Sequence, residues 1–360
     1  MSQKIPFDQK ELEVVREVPG FNTPYPSQTF NFPVSPKEGV IAAYKREPIW
    51  QISGVETAYF APKVNPDNVA RAFVMDGSGF GFGSGGGPDM FGIEWEYVPA
   101  VGGSMVRPGK ALMEDANDWE DLVKFPDISK WDWKESAELN KNYFSDTQFN
   151  SCWQQNGFFE RLISFMDFEG AAMAILDEDQ RDAVKALFMK LADLYIDIFD
   201  EYLKYYPKID GFFFHDDWGS QKETFFNPKL SEECIVPAMK KLTEFIHSRG
   251  RLAELHSCGQ ALKQVPNFAA AGWDRWDGQL MNDTAKIYEL YGDKIIVGVT
   301  PDTFDPAAIS EAEQRKLARE YAQKFCDPKK PSAFNSYGAF AMSTAYRQEL
   351  YIASRELYGK

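Results

Sequence analysis

The chain has 360 residues, with 39 Lys and Arg against 54 Asp and Glu, for a formal net charge of −15. That acidity argues against a nucleic-acid partner, whose backbone needs a basic patch to displace its counterions. No run of about 18 apolar residues marks a membrane span, and the first residues lack the apolar core of an export signal, so the expected location is cytoplasmic.

The hydrophobic content of 44% excludes a disordered chain, and four Cys with three His are too few and too scattered for a disulfide framework. Any metal site must draw on that short list. To about residue 60 the chain is Pro-rich and weakly periodic. Residues 1–45 read as an N-terminal extension over the surface, with one helical piece near Pro36 to Lys45. Arg46-Glu47-Pro48-Ile49-Trp50 opens the core of a single domain over 46–360.

Residues 76–92 are dense in glycine, and Gly81, Gly83 and Gly86 fit G-x-G-x-x-G. The dinucleotide reading fails, because that fingerprint needs a helix opening on its last glycine and Gly87-Pro88-Asp89 breaks one instead. The segment reads as a loop, and as a candidate lid over a site.

From about 157 the pattern becomes regular. A strand is expected around Phe158 to Phe168. A helix from about Glu178 to Tyr205 follows, with Val184, Leu187, Leu191, Leu194, Ile198 and Tyr202 spaced by threes and fours. Strands near 209–214, 251–256, 273–276, 294–299 and 332–335 then alternate with helices near 228–248, after Gln260, 283–291, 310–325 and 343–357. Such alternation implies parallel strands joined by helical crossovers. Many repeats without a nucleotide fingerprint favour an α/β fold of the (β/α)8 TIM-barrel kind, whose active sites lie at the C-terminal ends of the strands.

Three expected strand ends are polar: His215-Asp216-Asp217-Trp218, Glu254-Leu255-His256-Ser257-Cys258 and Thr300-Pro301-Asp302. His256 and Cys258 are two apart, so on a strand they face one side with α-carbons about 6.6 Å apart. An imidazole nitrogen and a thiolate at that spacing can share a metal, and zinc suits the N/S pair. The alternative is a core cysteine beside a satisfied histidine, since a zinc site needs at least three protein ligands. Asp277, about one strand further on, or a group near Asn335 is expected as the third. Glu254 lies one step deeper on the same face and is expected to orient the ring of His256. Adjacent Asp216 and Asp217 point to opposite faces. One is expected to line the pocket as acid, base or substrate anchor, and the other to cap the following turn. Cys152, Cys234 and Cys326 read as structural, and His247 as structural or exposed.

Taken together, these motifs resemble the uroporphyrinogen decarboxylase superfamily over roughly 46–357. The resemblance rests on Arg46-Glu47-Pro48-Ile49-Trp50, Asp216-Asp217-Trp218-Gly219-Ser220-Gln221 with Asn227-Pro228, His256-Ser257-Cys258-Gly259, and Tyr291-Gly292-Asp293-Lys294 leading to Gly298 and Asp302. It implies a (β/α)8 barrel with one of two activities. True decarboxylases carry an arginine-rich R-Q-A-G-R segment. Here Gln51-Ile52-Ser53-Gly54-Val55-Glu56 has no arginine and adds a carboxylate, which disfavours a polyanionic porphyrinogen.

The other branch holds corrinoid-dependent methyltransferases, whose H-x-C pair and a distant cysteine bind zinc. His256 and Cys258 match the pair, but no cysteine stands near Asn335-Ser336. The stretches from Asp89 to Trp95 and Asp118 to Asp127, and Trp131-Asp132-Trp133, resemble the methyltransferases that demethylate methoxylated aromatics. That resemblance implies a zinc enzyme passing a methyl group to cobalamin carried by a partner corrinoid protein. The expected catalytic residues are His215, Asp216 and Glu254. Substrate binding is expected from Asp217, Trp218, Asp302, Asn335 and Tyr337, and metal ligation from His256, Cys258 and Asp277. The competing readings are a decarboxylase-like lyase and a non-catalytic barrel that binds a small aromatic ligand.

Overall fold

A computed structural model describes residues 5–18, 25–81, 84–99, 103–335 and 343–359. By compactness the chain divides into a terminal unit (1–58, 147–149 and 274–360) and a central unit (59–146 and 150–273). Besides two antiparallel ribbons, the described residues form seven strands: β1 (Thr57–Phe60), β2 (Phe149–Gln154), β3 (Gly211–His215), β4 (Leu252–Ser257), β5 (Arg275–Gly278), β6 (Ile296–Val299) and β7 (Ala333–Phe334).

In the central unit β2, β3 and β4 pair in parallel, with Ser151 opposite Gly211 and His215 opposite His256. In the terminal unit β5, β6 and β7 do the same, with Arg275 opposite Ile296 and Val299 opposite Phe334. Helices α1 (Phe158–Leu176) and α2 (Arg181–Tyr205) join β2 to β3, and a helix or helix pair occupies each later crossover. The expected alternation is therefore present.

The expected eight-stranded closure is not. The described residues hold seven such strands, one fewer than a closed eight-stranded barrel needs. Alternation follows from local pattern, whereas closure needs a particular strand tilt and stagger that no local pattern encodes. Between β1 and β2 the chain also abandons the strand–helix rhythm. It runs through short helices and an antiparallel ribbon of Gly87–Pro88, Glu94–Val98 and Gly103–Val106. No helix opens on Gly86, in keeping with the rejected dinucleotide motif, while Phe82 and Gly83 lie outside the described residues.

The strand expected over Phe158 to Phe168 is instead the first half of α1, with Gly157 as its N-cap and a break in helical geometry at Asp167 (φ 57°). The reason is burial on all sides. Phe158 to Leu162 and Ser164 to Met166 are all buried, so no polar face marks the helical period, and such a run reads as a buried strand. The true strand, β2, lacks a strand pattern because Asn150, Ser151 and Gln154 are residue types common at the surface. Each is buried in a polar contact: Asn150 with Ser145 and Asp210, Ser151 with Glu254, and Gln154 with Asn65.

The N-terminal extension is anchored. Buried Glu11 accepts from Arg355 Nε at 2.7 Å and from the Tyr351 hydroxyl at 2.5 Å, both on the final helix, Thr344–Tyr358, of the terminal unit. Cys152, Cys234 and Cys326 are buried free thiols, and His247 is exposed on the helix Val236–Ser248. Among the described residues no helix is long and apolar enough to cross a membrane.

The core of the central unit encloses an ion triad. Arg161 on α1 pairs with Asp67 and Asp89, and all three side chains are shut off from solvent. Burial pushes Asp67 up to about 6 even with Arg161 beside it. Removing the cation strands two carboxylates in a low-dielectric interior. Arg161→Met is therefore expected to destabilise the protein by about 3–5 kcal/mol, read as a lowered midpoint in urea unfolding.

Candidate metal centre

β3 ends on His215, and β4 carries Glu254 and His256 on one face because side chains alternate along a strand. The parallel register sets His215 opposite His256, and their rings stack at 5.1 Å with 29° between planes. Just past the two strand ends, Asp217 Oδ1 accepts the backbone N–H of Cys258 at 2.7 Å. The turn that presents Cys258 needs the next residue to be glycine. Gly259 has φ +77°, and a Cβ there would sit 1.9 Å from the Gly219 carbonyl oxygen.

One ligand atom from each of His215, Asp217, His256 and Cys258 lies within 4.8 Å of the others. His256 Nε2 is 3.3 Å from Cys258 Sγ. His215 Nε2 is 3.6 Å from Asp217 Oδ1 and 4.0 Å from Cys258 Sγ. Tetrahedral zinc with ordinary bond lengths puts its ligand atoms roughly 3.3–3.8 Å apart. Small side-chain movements therefore suffice to close the set around an ion.

A buried chain of charges holds His215. Its Nδ1 is 2.7 Å from Glu160 Oε2, and Glu160 Oε1 is 2.7 Å from Arg71 Nη1. Burial works to raise Glu160, but Arg71 and His215 outweigh it and hold the carboxyl at about 2. An ionised carboxylate only accepts, so Nδ1 donates, and Nε2 is the nitrogen that faces Asp217 and Cys258. Burial works to lower His215, yet the charges of Glu160 and Asp217 prevail and raise it well above the usual histidine range. The Nε2 proton thus stands where a cation would sit. Burial pushes the Cys258 thiol up to about 11. Asn156, in a left-handed conformation (φ 55°) past the end of β2, accepts from Arg71 at 2.9 Å through Oδ1.

Asp216 has a different task from its neighbour. Its Oδ1 accepts from the backbone N–H groups of Phe159 and Glu160 at 3.1 and 3.0 Å, and its Oδ2 from Trp218 Nε1 at 2.9 Å. The carboxylate therefore closes the N-terminus of α1, where orphan N–H groups and the helix dipole favour negative charge. A Cβ on Gly157 would fall 2.3 Å from the Asp216 side chain, so only glycine lets the two meet. Burial, then the charge of Glu160, push Asp216 up to about 7. The two carboxylates do divide their labour, but the one facing the cluster is Asp217, and Asp216 caps the preceding helix rather than the following turn.

The other expected residues are placed as follows. Trp218 has no exposed surface and packs on Phe226 and Phe268. Glu254 accepts from the Ser151 hydroxyl at 2.8 Å. Asp277 belongs to the terminal unit, where Arg275 pairs with it at 2.9 Å. Asn335 is buried and donates to the Gly278 carbonyl at 2.9 Å, also in the terminal unit. Asp302 is exposed in the loop after β6, and Tyr337 lies outside the described residues. Glu56 is buried in the terminal unit, where Trp50 Nε1 and the Ser53 N–H occupy its oxygens at 2.9 and 3.0 Å, so its charge is already committed.

Arg71, Glu160 and Asn156 were not anticipated from the sequence. Glu160 lies in the run whose local pattern reads as a strand, and Arg71 follows a short helix, Pro66–Ala70, with no motif around it. Beside the cluster runs an aromatic wall. Trp153 stacks on Phe213 at 4.2 Å, lies 4.5 Å from Phe73 and 6.4 Å from the His215 ring.

The fold is similar to that of a methyltransferase from Methanosarcina mazei. The two share 14% identity over 90% of this chain and 98% of that one, with a TM-score of 0.52. A catalytic domain of a group II chitinase from Ostrinia furnacalis aligns more loosely, at 13% identity over 72% of this chain and 67% of that one, with a TM-score of 0.30. No family model and no curated protein matches the sequence.

The two adjacent aspartates are separable by experiment. Asp216→Ala opens the α1 cap and is expected to cost about 2–3 kcal/mol. Asp217, with a side chain 27% exposed, is expected to cost about 1 kcal/mol when changed to Ala. Chemical denaturation of the metal-free protein measures both.

Proposed function

We propose that the chain is a zinc-dependent methyltransferase that moves a methyl group from a methoxylated aromatic substrate to the cob(I)alamin of a corrinoid protein. The observation that carries this reading is the convergence of two imidazoles, one carboxylate and one thiol within 4.8 Å. Two nitrogens, one oxygen and one sulfur form a donor set that suits zinc, and a thiolate with a carboxylate balances a dication. Asp217 takes the place expected of Asp277, and His215 joins the set. The similarity of fold to a methyltransferase agrees with this reading.

Bound zinc would supply a Lewis acid for the ether oxygen, whose phenolate is otherwise a poor leaving group. This chain's own residues do the rest. Glu160 fixes the tautomer and direction of the His215 ring, and Arg71 holds Glu160 in its ionised form. Trp153, Phe213 and Phe73 offer flat apolar surface beside the cluster for an aromatic ring. Asp216 is committed to the α1 cap and is not assigned proton transfer. In the transfer itself the carbon–oxygen bond breaks with its electron pair left on oxygen, and the methyl group passes to the corrinoid acceptor.

The test joins metal analysis with a donor screen. Purified protein is expected to hold about one zinc per chain, with His256→Ala and Cys258→Ala losing most of it. Methoxyarenes and methylamines offered with cob(I)alamin are expected to give the visible spectrum of the methylated corrinoid for methoxyarenes. Both variants should slow that change at least about 100-fold. Protein free of zinc, with turnover unchanged in His256→Ala, would overturn the reading.

A further inference from the structure

Arg71 is only partly used by the protein. One nitrogen, Nη1, serves both Asn156 Oδ1 at 2.9 Å and Glu160 Oε1 at 2.7 Å. The guanidinium lies over the Trp95 ring, 5.0 Å from its centroid. Among the described residues no acceptor pairs with Nε or Nη2, and the side chain remains 16% exposed. Glu160 bridges Arg71 to His215 of the cluster, 2.7 Å from each, so Arg71 stands one residue from the metal cluster. Arg161 makes the contrast: two carboxylates take it and no part of it reaches solvent.

We infer that Arg71 anchors a carboxylate on the methyl donor, so that the substrates are methoxylated aromatic acids rather than neutral methoxyarenes. The inference rests on the methyl-transfer reading and names its substrate class. A guanidinium is charged at every working pH and presents planar, directional donors that match a carboxylate. This one is pre-organised, pinned on one nitrogen by two acceptors and on one face by an indole, so binding orders little that is not already ordered.

The local charge also permits an anion. Glu160 cancels the charge of Arg71, and a dication would cancel Cys258 and Asp217, which leaves no net negative field to repel an acid. The aromatic wall gives the ring of such a donor a surface: Phe73 is two residues from Arg71 and lies 4.5 Å from Trp153.

The test compares meta-methoxybenzoate with meta-methoxybenzyl alcohol, which differ at the carboxylate and share the methoxy group. The protein as isolated is expected to prefer the acid. In Arg71→Met the ratio of kcat/KM for acid over alcohol should fall at least about tenfold, mainly through KM, with Arg71→Lys intermediate. Calorimetric binding of meta-methoxybenzoate should weaken in parallel. Equal losses for both donors in Arg71→Met would overturn the anchor, because support of His215 through Glu160 does not distinguish them. A native preference for the alcohol, or no binding of the acid, would also overturn it. Arg71-dependent binding of the acid with turnover of neither donor would keep the anchor and sink the methyl-transfer reading instead.

Discussion

The carboxylate of Glu160 meets an arginine on one side and a histidine on the other, and the candidate site depends on that junction. Arg71 follows the Pro66–Ala70 helix, Glu160 stands in the first turn of α1, and His215 ends β3. Three separate elements of the central unit are thus joined by two short charged contacts in a buried place. The first turn of α1 favours this arrangement, because its unpaired N–H groups and the positive end of its dipole stabilise anions. Glu160 and Asp216 both use that end, one through its neighbours and the other by direct capping. A metal-binding imidazole is only as well placed as the group behind it, and here that group is itself held by a cation.

The acidity of the chain takes on a local meaning in this setting. Carboxylates outnumber cations by 15, yet in the central unit the interior ones are matched. Asp67 and Asp89 face Arg161, Glu160 faces Arg71 and His215, and Asp216 faces helix N–H groups and an indole. Asp217 alone in this group is partly exposed and faces the imidazole and thiol donors. Unlike Asp67, Asp89 and Asp216, it faces groups that would give up their protons on binding a metal. That difference in partners, more than any difference in residue type, separates a structural aspartate from a candidate ligand one position away.

Much of the α/β alternation was legible in local pattern. Helix α2 announces itself through Val184 to Tyr202, because one face is buried and the other wet. The polar strand ends at His215 and His256 were legible for a related reason, since charged and imidazole groups after an apolar run mark where a strand leaves the interior. Helix α1 and strand β2 depart from their local patterns for opposite reasons. The first is buried on every side and has lost its polar face, and the second buries Asn150, Ser151 and Gln154 against partners distant in sequence. In both cases the pattern was decided by what packs around the element and not by the element itself.

The two-residue spacing already sets His256 and Cys258 close together at a strand end, although Cys258 stands in the turn just past β4 and not on the strand itself. The sequence by itself likewise determined that His215 falls at a strand end and that the glycine-rich segment opens no nucleotide-binding helix. Folding adds the parallel register that sets His215 against His256, the turn of Asp217 rather than Asp216 to the cluster, and the placing of Arg71 and Glu160 behind it. The physical reason is one of range. Periodicity acts between neighbours along the chain, whereas register, capping and buried ion pairing join residues as far apart as Arg71 and Glu160, and nothing in the local sequence of either encodes the other.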